Sequence, residues 1–108
     1  MRNNIWELCK GFPSEEKYRL SDQMMRASRS STANIAEGYG RYHYQENIQF
    51  CRQARGSLYE LIDHIDVALE CEYIDGDIAN SLVEEIKIST RILNGYIKYL
   101  KNRKETEI

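Results

Sequence analysis

A chain of 108 residues, 42% apolar and 30% charged with one proline and six glycines, has room for one core and the make-up of a soluble helical protein. That balance argues against a disordered chain and against a turn-rich β fold, and no run of about 18 apolar residues is present to span a bilayer. A formal net charge of −2 and a pI of 5.7 fall well short of the pI above about 9 that marks a dedicated nucleic-acid domain.

Residues 1–108 are expected to form a single domain. Near the start, Ile5, Trp6, Leu8 and Cys9 make a short amphipathic piece that ends at Gly11, because Pro13 cannot continue a helix and restricts Phe12 before it. Residues 14–19 read as a turn. Ser21 then looks like the N-cap of a second helix, with Asp22 in a first turn where the helix dipole favours an acid. Leu20, Met24, Ala27, Ser28, Ser31, Ile35 and Gly38 carry its inward face, and the glycines at 38 and 40 suit a left-handed C-terminal cap near Tyr39.

A third helix is expected from about Gln45 to Cys71, roughly 40 Å long at 1.5 Å per residue, with Ile48, Cys51, Ala54, Leu58, Leu61, Ile62, Ile65, Ala68 and Leu69 inward. Tyr73 to Gly76 read as the next turn, and Asp75 or Asp77 as the cap of a last helix reaching about Lys101. Its inward face is read as Ile78, Leu82, Ile86, Ser89, Leu93, Tyr96 and Leu100. Short connections make neighbouring helices run in opposite directions, so the expected fold is all-α: an antiparallel up-down four-helix bundle with a short first helix.

Charge is segregated along the chain. Residues 17–55 carry seven cations against three acids, residues 60–86 carry nine acids and no Lys or Arg, and residues 87–104 carry six cations and no acid. Cys9, Cys51 and Cys71 are odd in number and lack C-x-x-C spacing, and no apolar signal-peptide core follows Met1. Reduced thiols and a cytoplasmic location are the expectation, with Cys51 and Cys71 read as small core fillers.

The run Leu20-Ser21-Asp22-Gln23-Met24-Met25-Arg26-Ala27-Ser28, followed by Asn34-Ile35-Ala36-Glu37-Gly38-Tyr39-Gly40-Arg41, resembles the signature of the 23S rRNA intervening-sequence proteins. Phe12-Pro13-Ser14-Glu15-Glu16, Phe50 and Ala54 to Leu61 resemble flanking pieces of the same family, so the likeness spans roughly residues 5–100. The resemblance implies a four-helix bundle that commonly forms a homopentamer. It also implies kinship with accessory proteins of diversity-generating retroelements, which bind reverse transcriptase and nucleic acid. It implies no reaction. Two departures stand out: the first helix is shorter than the family's, and Thr32 stands where many members carry a helix-kinking proline, which predicts a straighter second helix.

Asn34, Glu37 and Arg41 are spaced to lie along one side of the second helix and its exit. An amide, a carboxylate and a guanidinium there would fix the corner between helices or serve as a binding site. Gly38 and Gly40 point to close backbone approach or to positive φ. Tyr39, Arg41, Tyr42, His43 and Tyr44 crowd aromatics around a cation, suited either to unpaired bases or to a subunit interface. Arg26, Arg29, Arg52 and Arg55 could form a basic band on neighbouring helices, for phosphate or for the acidic block of another copy.

An enzyme reading would start from His43, His64, Glu37, Glu60 and Asp63. A di-iron bundle needs two Glu-x-x-His units, however, and Gly40 and Leu61 stand three residues before the histidines. No cofactor or metal is expected. The sequence thus points to a non-enzymatic oligomeric interaction scaffold. Its partners would be further copies of itself and a protein or nucleic acid such as a reverse transcriptase, RNA or DNA, with no membrane. The alternative is direct nucleic-acid binding through basic faces of the second and third helices.

Overall fold

The computed structural model describes residues 2–16, 19–41 and 43–106. Among these residues all regular structure is helical: α1 (Arg2–Lys10), a 3₁₀ turn (Ser14–Glu16), α2 (Leu20–Tyr39), α3 (Tyr44–Glu70) and α4 (Gly76–Thr106). No helix among them is long and apolar enough to cross a membrane.

The third helix is the spine. Cys51, Ala54, Leu61, Ile65 and Ala68 have no exposed surface, because α3 receives α2 on one side and α4 on the other. Ser57 meets Ser30, whereas Asn47 and Phe50 lie against Gly38, so the index on α3 falls as that on α2 rises. Toward α4, Asn47 meets Tyr96 and Arg55 meets Asn94, while Lys104 reaches back to Gln45. The helix α1 packs on α2, and Ile5, Cys9 and Phe12 join the same core as Met24, Ile86 and Leu100. Each fully buried Leu or Ile contributes about 1.5–3 kcal/mol relative to an exposed one.

Several local expectations change. The second helix begins at Leu20, and Arg19 stands at its N-cap with no side-chain cap bond. Ser21 is instead a small buried packing residue whose carbonyl faces the Cys9 thiol at 3.9 Å, because the 3₁₀ turn and the burial of Leu20 set where the helix starts. Neither Gly38 nor Gly40 has positive φ, and Gly40 closes α2 in a right-handed conformation. Ile35 and Ile78 are each 40% exposed, and Cys71 is exposed rather than a core filler. On α4 the inward positions also include Ala79 and Ile97, and the helix continues to Thr106, where its late cations suit the C-terminal end of the dipole.

Of the two acids read as caps for the last helix, Asp75 does the capping: its Oδ1 accepts the Ile78 N–H at 2.8 Å. The preceding helix ends in a Schellman arrangement, with Glu72 N–H bonded to the Leu69 carbonyl and Tyr73 N–H to that of Ala68. Glu72 holds φ at 61°, the left-handed position where glycine is usual. A side chain there costs about 1–2 kcal/mol, and the greater freedom of unfolded glycine offsets about 0.5–1. Glu72→Gly is therefore expected to raise the melting temperature by a few degrees in calorimetry, and a fall would contradict this description of the turn.

Candidate functional site

The residues singled out from the sequence fall into separate places. At the α2–α3 corner, Arg41 Nη2 donates to Glu37 Oε1 at 2.7 Å, its Nη1 lies 4.0 Å from Glu46 Oε2, and its guanidinium sits 4.9 Å from the Phe50 ring centre. Asn34 does not join this clasp. Its Nδ2 donates to the Ser30 carbonyl at 2.9 Å and to Ser30 Oγ at 3.1 Å. Ser30 Oγ in turn accepts the Ser57 hydroxyl at 3.0 Å, a polar stitch between α2 and α3. All three charged groups of the clasp are substantially exposed, so each ion pair contributes at most about 1 kcal/mol. The clasp fixes the corner and leaves its outer side open to solvent.

At Gly38 the two helices approach each other closely. A Cβ built on it would stand 2.7 Å from Asn47 Oδ1 and 2.8 Å from the Phe50 Cβ. Asn47, which the sequence reading passed over, is 6% exposed; its Nδ2 donates to Tyr96 OH at 3.0 Å and its Oδ1 faces the Cys51 thiol at 3.6 Å. The signal was present in the register, since Asn47 stands four residues before Cys51 on the inward stripe. Tyr39 is 78% exposed and Tyr44 is packed against the core, so the aromatics of this corner do not form one platform. Tyr42 lies outside the described residues.

The four arginines of the expected basic band are also divided. Arg26 pairs with Asp22 at 3.6 Å and Arg29 Nε lies 3.4 Å from the Met25 carbonyl, both on the exposed side of α2. Arg55 Nη1 donates to Asn94 Oδ1 at 2.8 Å, and Arg52 lines a hollow with Lys101 and Lys104. This second pair therefore faces α4.

An open apolar stripe runs along α4. Ile88, Ile92 and Tyr99 are 51%, 70% and 54% exposed and follow a spacing of four and seven residues, which places them on one helix face with Gly95 between. No Cα of α4 comes within 8 Å of α2 among the described residues, and α1 stands off the start of α4 across an open groove of about 530 Å³ that Leu8 and Ile78 help line. Exposed apolar residues gathered along one stripe mark an interaction surface more strongly than the same residues scattered.

Chemistry-bearing groups are few. His64 Nε2 lies 3.2 Å from Glu60 Oε1 on the surface of α3. Burial pushes the thiols of Cys9 and Cys51 up, which keeps them protonated and poorly nucleophilic. Among the described residues no three His, Cys, Asp or Glu side chains are grouped as for a metal ion.

The family model described as 23S rRNA-intervening sequence protein matches residues 1–95. Among solved structures, a protein of unknown function from the S23 ribosomal protein family of Bacteroides thetaiotaomicron VPI-5482 superposes with a TM-score of 0.82 at 23% identity, covering 90% of this chain and 91% of that one. At that identity the likeness is one of fold. No curated protein matches the chain.

Proposed function

The chain belongs to the 23S rRNA-intervening sequence protein family, and on that footing we propose that it is a non-enzymatic scaffold. Its unit is an antiparallel up-down bundle that assembles with copies of itself and holds a protein or RNA partner. One observation supports this reading above the others: the exposed stripe of Ile88, Ile92 and Tyr99 on α4. In an isolated chain these side chains face water and gain nothing, whereas a neighbouring helix would remove them from it at about 25 cal/mol for each Å². Gly95, with nothing within 4 Å of its would-be Cβ, leaves room for that neighbour to come close. Five copies, the number the resemblance implies, would set five such stripes in a closed ring.

Light scattering at low and high salt tests the assembly. A mass near five times 12.7 kDa that is indifferent to salt is expected, because the contact is apolar. A monomer at micromolar concentration would overturn the proposal.

A further inference from the structure

We propose that the seam between α3 and α4 is a binding site for single-stranded nucleic acid, held through its phosphates. The seam is on a different side of α4 from the apolar stripe, and the inference does not rest on self-association. Two blocks of positive charge that are remote in the sequence meet there. Arg52 lines a hollow of about 240 Å³ with Lys101, Lys104 and Gln45, where three cations face the single carboxylate of Glu105, and Lys87, paired with Glu84 at 3.7 Å, lines another of about 290 Å³ with Arg91 and Tyr59. Between the hollows Arg55 is tied to Asn94. Along α4, Lys87, Arg91, Asn94, Lys98 and Lys101 follow one another by four, three, four and three residues, so they share one face.

From Lys87 to Lys104 this row is about 26 Å long. Arg52, Arg91, Lys98 and Lys101 make no ion pair among the described residues, so none of these neutralises their charge. Amides assist the row: Gln45 Oε1 accepts from Lys104 Nζ, and Asn94 Oδ1 orients the Arg55 guanidinium. The buried Thr90 hydroxyl beside Arg91 has no hydrogen-bond partner among the described residues.

A single groove with one row of cations fits one chain of phosphates better than the two strands of a duplex. Tyr59, 53% exposed at the end of the row, offers a ring on which a base can stack. The acidic residues 60–86 occupy the other half of the same two helices and begin directly beside Tyr59 and Lys87, so the potential along the seam favours a polyanion toward Lys101 and Lys104.

The test is fluorescence anisotropy with a labelled 12-nucleotide single-stranded RNA of mixed sequence, on the full chain. Binding is expected at about 50 mM salt and to weaken roughly fifty-fold by about 200 mM, the slope for about four phosphates on a single strand. Arg91→Glu with Lys101→Glu should weaken it at least tenfold at the lower salt, Arg91→Lys with Lys101→Arg should retain it, and Arg26→Glu with Arg29→Glu on α2 should change it far less. Circular dichroism checks that every variant folds. No binding at low salt, equal loss from the α2 variant, or tighter binding of an RNA duplex or of anionic phospholipid vesicles would each overturn the proposal. So would a change in solution mass on reversing Arg91 and Lys101 without RNA, since the seam would then be a contact with another copy.

Discussion

Replacing Gly38 by alanine is expected to destabilise the fold by about 1–3 kcal/mol, the cost of forcing an extra carbon into a packed site. The sign is the informative part, because the same change in an exposed helix stabilises by about 1 kcal/mol through helix propensity. The added Cβ would press on Asn47 Oδ1 at 2.7 Å and on the Phe50 Cβ at 2.8 Å. The Phe50 carbon is bound directly to the backbone and moves only if α3 moves. Asn47 could turn away only by giving up the Tyr96 hydroxyl and the Cys51 thiol, leaving buried polar atoms without partners. Gly56, also helical but with nothing within 4 Å, serves as the control: Gly56→Ala should stabilise. Denaturant unfolding of both variants measures the pair, and two shifts of the same sign would contradict the close approach.

Changing Ile88 and Ile92 together to glutamate is expected to dissociate the assembly while leaving each chain folded. Both residues are at least half exposed in the single chain, so their effect on its stability should stay within about 0.5 kcal/mol for each. In an apolar contact between copies, a carboxylate without a partner costs several kcal/mol, and a ring repeats that cost at every interface. A fall in mass with unchanged helical circular dichroism is the expected pair of results. Loss of helicity would mean that the stripe belongs to the chain's own core.

The helices were legible because their limits are chemical: Pro13 stops α1, α2 closes at Gly40 although in a right-handed conformation, and Asp75 caps α4. Legibility failed where position depends on the neighbour rather than on the period. Ile35 and Ile78 keep the apolar rhythm yet are 40% exposed, because no helix comes down on those positions, while Ala79 and Ile97 are buried because one does. The corner was only partly readable. The spacing of Glu37 and Arg41 foretold their ion pair, but it could not foretell that Asn34 turns back to Ser30. Reading charge along the chain grouped Arg52 and Arg55 with Arg26 and Arg29. The fold places the first two on the α4 side of α3, and the packing of α3 on α4, marked by the pairs Arg55–Asn94 and Gln45–Lys104, brings the two basic blocks together. Asn47 was missed because a polar residue on an inward stripe looks like a flaw until its partner, Tyr96 on α4, is known.

Self-association through α4 is the centre of this account, and the most direct test is the light-scattering mass of the native chain beside the Ile88→Glu, Ile92→Glu chain at one concentration. The expected result is a native mass near five times 12.7 kDa and a variant mass near 12.7 kDa itself. Two equal masses would contradict it, whether both chains are assembled or both are single.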